Sequence, residues 1–143
     1  MNLLRQRARV CHVDEETYVQ TLELSSATRD EVRMLARALT IGETYFFRNR
    51  AHFDVLAEVA LRERARARGP GGRLRLLSAA CSTGEEPYSM AILVRELSFL
   101  EGHDVEIRAL DLNPDSLHKA KSGRYSAWSL RELPEDERQR WFK

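Results

Sequence analysis

Apolar positions along this chain first recur every three to four residues and later alternate every second residue. "LLRQRARV" at 3–10 reads as the end of a basic helix. Residues 14–24, "DEETYVQTLEL", open with acidic side chains and carry Tyr18 and Leu22 at helical spacing. "SSATRDEVRMLARAL" follows, with Ser25, Ser26 and Thr28 as capping candidates and Val32, Leu35, Ala36 and Leu39 on one face. These three short helices make a small helical subdomain. A longer helix is predicted from about residue 50 to 67, with Phe53, Leu56 and Ala60 inward, and "RGPGG" at 68–72 breaks it.

Beyond that break the period changes. "RLRLLSAA" alternates basic and apolar residues, as an opening strand does. A loop and a helix running to about Phe99 come next. A second strand, "DVEIRALDL", follows with Val105, Ile107 and Ala109 alternating. "NPDSLHKAK" begins another helix, with Pro114 suited to its first turn. The last stretch, "GRYSAWSLRELPEDERQRWFK", holds a turn and a short charged helix. Strand, helix, strand, helix reads as the first part of a parallel α/β sheet built from right-handed crossovers. The expected organisation is a helical subdomain at 1–49, a linking helix and Gly/Pro linker at 50–72, and the start of an α/β domain at 73–143.

Composition narrows the function classes. The chain has 143 residues, 43% hydrophobic and 31% charged, as suits one globular domain or a small domain joined to part of another. Its 23 basic and 22 acidic side chains leave a net charge of +1, so no global field points to nucleic acid. Much of the arginine lies in two runs, Arg5 to Arg9 and Arg62 to Arg75. Cys11 and Cys81 stand far apart with no CxxC, which argues against a zinc site or a disulfide framework, and no metal is expected. Neither a long apolar run nor a signal peptide is seen, so a cytoplasmic protein without membrane insertion is expected.

The chemistry concentrates in "SAACSTGEEPYSM" at 78–90, a small-residue loop ahead of a helix. Its position is that of a nucleotide-binding loop, where helix N–H groups receive a phosphate. Yet Glu85 and Glu86 occupy the first turn and already offset the positive end of the helix dipole. They would repel a pyrophosphate, and neither G-x-G-x-x-G nor a P-loop motif is present. Two readings stay open. The glutamates are ordinary helix-start charges, or the ligand carries a positive group where a dinucleotide has phosphates. S-adenosyl-L-methionine, with its α-ammonium and sulfonium, fits the second. Asp111, at the end of the second strand in "ALDLN", sits where an acid can accept from both ribose hydroxyls. It is also a helix-cap candidate, although Asn113 is better placed for that.

Three ordered blocks, "TIGETYFFRNRAHF", "LLSAACSTGEEPYSMAI" and "IRALDLNPDSLHKAKSGRYSAWSLRELPEDERQRWF", together closely resemble the CheR family. These are S-adenosylmethionine-dependent methyltransferases that esterify glutamates on bacterial chemoreceptors. The resemblance runs from about Leu4 to Lys143, and the S-T-G-E-E-P-Y-S run is its most specific part. It implies a Rossmann-like sheet and S-adenosyl-L-homocysteine as product. It implies cofactor contacts from Thr44 and Arg48, the latter as a fork for the α-carboxylate, since lysine would not reproduce two parallel bonds. Gly42 stands where some members carry asparagine. Glu85 matches the ammonium-binding glutamate, with Glu86 less certain, and Asp111 matches the ribose-binding acid. Asn113 stands where members often have a second aspartate. Tyr45, Phe46 and Phe47 supply pocket wall and core, the two phenylalanines mainly core. Arg64 falls roughly where the family has an arginine close to the transferred methyl, the one catalytic candidate, although "RERARAR" leaves its register ambiguous. Arg5, Arg7 and Arg9 fall in the segment resembling a basic helix that docks methyl-accepting receptor helices; an ordinary solvated face is the other reading. Cys81 reads as a small buried residue.

No His–Asp or Cys–His pair appears, and the implied reaction needs none. A glutamate acceptor is ionised near neutral pH, with a reference pKa of about 4.3. Alignment and water exclusion then take the place of a general base. The family's later strands have no counterpart here, and two strands leave an open edge. The expectation is therefore an incomplete sheet, with the chain a fragment of a protein-glutamate O-methyltransferase acting in chemotaxis, or one that pairs with a second copy as a swapped homodimer. The competing class is a non-catalytic module that binds receptor or cofactor without turnover.

Overall fold

In the computed structural model, residues 3–24, 28–40 and 42–143 are described. The capping candidates Ser25 and Ser26 lie outside them. The chain divides into two compact units, Met1–Thr40 and Ile41–Lys143.

The first unit holds α1 (Leu3–Val10), α2 (Glu15–Glu23) and α3 (Arg29–Leu39). Asp14 caps α2 by accepting from the Thr17 N–H at 2.8 Å, and Thr28 caps α3 by accepting from Glu31 at 3.2 Å. Each satisfies one of the N–H groups a helix start leaves orphaned. Ala8 and Tyr18 are buried. The predicted apolar face of α3 is not enclosed, since Val32 and Leu39 are exposed and only Leu35 and Ala36 are half-buried. A polar triad holds this unit instead. Arg7 on α1 forms an ion pair with Glu31 on α3 at 2.6 Å, and the Tyr18 hydroxyl of α2 donates to the same carboxylate at 2.5 Å.

In the second unit the long helix is composite: α4 (Arg50–Val55), a π-helical stretch Leu56–Leu61, and α5 (Arg62–Arg68). Its buried face is Phe53, Ala57, Leu61 and Ala65, with Leu56 half-buried and Ala60 exposed. The sequence reading put Leu56 and Ala60 inward because it assumed an unbroken 3.6-residue period. The wider i→i+5 turns keep a strict spacing of four on one side. Gly69 then ends the helix in a positive-φ conformation (φ 72°).

The sheet consists of β1 (Arg73–Ala79) and β2 (Asp104–Leu110), paired in parallel from Arg73 opposite Asp104 to Ala79 opposite Leu110. Between them run α6 (Glu85–Glu96) and a 3₁₀ turn at Ser98–Leu100; after β2 come α7 (Pro114–Ser122) and α8 (Glu135–Trp141). This is the expected βαβα order, the opening part of a Rossmann-like sheet. Arg73 ties the strand starts together through Asp104 at 3.3 Å and Glu106 at 3.0 Å. Two apolar clusters flank the sheet. Leu61, Ala65, Leu74 and Leu100 form one beneath α5, and Phe46, Phe47, Phe53, Ile92 and Leu133 form the other. Phe46, fully enclosed, meets Tyr125 and Phe142 edge-on, each at 4.8 Å between ring centres.

Candidate functional site

The site is built where the C-terminal end of β1 meets the segment before α4. β1 alternates Leu74, Leu76 and Ser78 toward the interior, so Ser78 is a hydroxyl at a core position and is wholly buried. The chain then turns through Ala80 (φ 64°) and Ser82 (φ 48°), while Phe47 (φ 54°) and Asn49 (φ 59°) bend the facing segment. Side chains other than glycine rarely adopt such values, and they collect at sites the surrounding fold over-determines.

These two bends enclose a concavity of about 250 Å³ lined by Thr44, Tyr45, Arg48, His52, Cys81 and Glu86 among others. Thr44 and Arg48, both expected at the cofactor, therefore share one wall. Arg48 is exposed and donates one guanidinium N–H to the Glu43 carbonyl, which turns its head along the same loop. Gly42 joins the constellation through its carbonyl, which accepts from Ser82 Oγ at 3.4 Å. Asp111 holds the loop from the β2 side. Its Oδ2 accepts from the Ser82 N–H at 2.7 Å and its Oδ1 from the Asn113 N–H at 2.7 Å. Asn113, not Asp111, caps α7 by accepting from Asp115 and Ser116, so capping drops out as the explanation of Asp111.

The two glutamates separate cleanly. Glu85 is buried, and its carboxylate accepts from Thr83 Oγ1 at 2.6 Å and Ser129 Oγ at 3.0 Å. Glu86 is exposed, lines the concavity, and accepts from Ser78 Oγ at 2.6 Å. The sequence reading favoured Glu85 for the ligand. In the fold Glu85 turns inward as a strut, and the carboxylate that lines one concavity with Arg48 belongs to Glu86. Successive residues in a first helical turn point about 100° apart, so only one of the pair can face the opening. Tyr125's own burial, and next the Glu85 carboxylate, push the Tyr125 phenol well above its ordinary range. Burial likewise raises the Cys81 thiol, with Asp111 adding to it.

Other expected residues lie elsewhere. Arg64 lines a different concavity, along the outer side of β1 with Arg68, Arg75 and Leu77. In the first unit Arg5 is exposed and pairs with Glu15 at 3.2 Å. Arg9 is exposed. Arg7 is committed to Glu31 and only 15% exposed at its side chain, which sets it apart from the two other arginines that the resemblance grouped with it. Sequence reasoning missed Ser89 and Ser129. Ser89 Oγ accepts from the Phe47 N–H at 2.9 Å and donates to the Glu85 carbonyl at 2.7 Å. The signal for Ser78 and Ser89 was a hydroxyl placed at an inward position of an otherwise apolar strand or helix face.

A cation and an anion facing one small cavity suit a zwitterionic amino-acid head. At about 250 Å³ the cavity is below the roughly 300–1,000 Å³ that encloses a whole drug-sized ligand, so it matches one end of a larger molecule. Residues 42–143 match the family model "CheR methyltransferase, SAM binding domain". The chain belongs to the CheR methyltransferase family. Its cofactor is S-adenosylmethionine, and the donor set fits: Arg48 for a carboxylate, Glu86 for an ammonium, Asp111 for a sugar diol. Among curated CheR relatives, chemotaxis protein methyltransferase 2 of Vibrio cholerae is 39% identical over 117 residues, covering 81% of this chain and 40% of its own length. Chemotaxis protein methyltransferase of Salmonella typhimurium is 36% identical over 142 residues, covering 99% of this chain and 46% of its own. The probable biofilm formation methyltransferase WspC of Pseudomonas aeruginosa is 38% identical over 118 residues, 82% of this chain and 27% of its own. The chain thus spans less than half the length of these relatives. Among the described residues no helix is long and apolar enough to cross a membrane, and no cluster of His, Cys, Asp or Glu is arranged to hold a metal.

Proposed function

We propose that this chain is the cofactor-holding part of a cytoplasmic protein-glutamate O-methyltransferase that esterifies glutamates on chemoreceptor helices in chemotactic adaptation. The observation that carries this is Arg48 and Glu86 on one concavity in a CheR family domain. When bound, S-adenosylmethionine supplies a methyl group on a sulfonium, already a strong electrophile. Arg48 holds its α-carboxylate through a guanidinium fork. Glu86, kept in place by the buried Ser78 hydroxyl, accepts from its α-ammonium. Asp111, fixed at both oxygens by backbone N–H groups, has lone pairs left for the ribose. An acceptor glutamate is already ionised, so no side chain has to remove a proton. In the organisation proposed, the helical unit up to Thr40 is receptor-facing, with Arg5 and Arg9 as exposed cations that meet acidic receptor helices; residues 42–49, which the sequence reading placed in that subdomain, belong with the cofactor cavity, 50–72 link, and 73–143 begin the methyltransferase sheet.

The test is calorimetry with S-adenosylhomocysteine. Glu86→Gln and Arg48→Lys are each expected to weaken binding about tenfold to a hundredfold, the value of a charge-assisted hydrogen bond. Glu85→Gln is expected to lower the melting temperature more than the affinity. Equal binding by wild type and both site variants would sink the assignment. The competing reading is a module that binds receptor or cofactor without turnover. A radiolabelled methyl-transfer assay on receptor peptides separates the two, since turnover by this chain would exclude the module.

A further inference from the structure

The turn between α7 and α8 does more than connect them. Ser129 uses its carbonyl to accept from the Phe46 N–H at 3.0 Å and its hydroxyl to donate to the buried Glu85. Arg131 lies over the Tyr45 ring at 3.9 Å and over the Trp128 ring at 4.3 Å. Its Nη1 donates to the Trp128 carbonyl at 2.8 Å, which fixes the guanidinium in that position. Arg138 of α8 stakes the turn by donating to the carbonyls of Arg131 and Leu133, at 3.2 and 2.9 Å. Tyr45 is a wall of the donor cavity, between Thr44 and Arg48. Trp128 is 70% exposed, although an indole of that size is ordinarily drawn inward. Its place in the structure is accounted for by the arginine it covers.

We propose that Arg131, roofed by Trp128, is a positioning residue for the amino-acid end of the donor site, clamping Tyr45 and with it the 44–48 segment in the shape that receives the cofactor. The inference rests on the donor-site reading above. Arg131 is not among the residues lining the cavity, so it acts through Tyr45. A guanidinium stacked on an aromatic face attracts its ring, here holding a short segment whose backbone is left-handed at Phe47.

The experiment compares Arg131→Ala, Trp128→Ala and Trp128→Phe with wild type, using S-adenosylhomocysteine and adenosine as separate calorimetric probes. Amide spectra of the same proteins are recorded alongside. Arg131→Ala is expected to weaken S-adenosylhomocysteine about fivefold to twentyfold while leaving adenosine, which lacks the amino-acid end, unchanged. Trp128→Ala should show part of that loss and Trp128→Phe should restore it. Equal weakening of both probes would mark a merely structural role and overturn the proposal, as would no change in either. Should wild type bind neither probe, displaced amide signals of residues 44–48 in Arg131→Ala would uphold the clamp while the donor reading fell. Unmoved signals would overturn the clamp itself.

Discussion

Glu31 shows how one carboxyl can organise a unit that lacks an apolar centre. The Arg7 guanidinium bonds, with help from the Tyr18 hydroxyl, hold it at about 2, against an ordinary 4.5. Tyr18's own burial, and next its hydrogen bond to Glu31, push its phenol up to about 12. A carboxyl whose pKa is lower in the folded than in the unfolded state stabilises fully above 4.5 and loses that contribution as pH falls toward 2. Thermal melts followed by circular dichroism are therefore expected to show wild type losing stability through that window. Glu31→Gln should start lower at pH 7 and fall less steeply, and identical slopes would show that the triad is not coupled to folding. From the sequence, Arg5 and Arg9 share a helix face at i, i+4 and Arg7 lies off it, but nothing local says which face turns inward. The partner of Arg7 lies on another helix, 24 positions away, and no local pattern reports a pairing of that range. Glu85 and Glu86 make the same point at shorter range. Both were legible as functional acids, but which one faces the opening depends on how α6 is rotated against β1 and the turn carrying Ser129.

At the scale of elements, the entry into α6 is set by close approach. Gly84 has φ 98°, and a β-carbon there would come within 2.7 Å of the Tyr125 hydroxyl oxygen and 2.8 Å of the Ala120 β-carbon on α7. The Tyr125 hydroxyl in turn donates to the Thr83 carbonyl at 2.9 Å. Gly84→Ala thus combines backbone strain with overpacking, and chemical denaturation is expected to show a loss of at least about 2 kcal/mol. A loss below about 1 kcal/mol would mean that α7 shifts freely, contrary to the packing described. The strands, the helix end at Gly69, the helix start at Pro114, and the βαβα order were all legible because turn chemistry and the change of period are local signals. The π-helical stretch was not, because no turn residue or change of period marks Leu56–Leu61 in the sequence.

For the molecule as a whole, the sheet is the feature with consequences. Among the described residues β1 pairs with β2 alone, and its outer side carries Leu77, 59% exposed, in a concavity lined also by Arg64, Arg68 and Arg75. Leu110 and Leu112, at the end of β2, are 51% and 79% exposed. An unpaired strand bearing apolar side chains invites another chain. Light scattering after size exclusion is expected to show concentration-dependent association of this chain, reduced by Leu77→Lys. A strictly monomeric wild type at high micromolar concentration would contradict it. The same concavity holds Arg64, apart from the cavity of Arg48 and Glu86; its register was ambiguous in the sequence because "RERARAR" repeats arginine at every second position.

The sequence by itself determined the order of helices and strands, the family, and the residue types gathered around the cofactor, because capping, alternation and motif chemistry act over a few neighbouring positions. Only the tertiary structure decided that Glu86 faces the cavity, that Arg7 turns inward, and that Arg131 stands behind Tyr45. Each of those depends on the angle at which one element meets another, and that angle is fixed by packing among residues far apart in the chain.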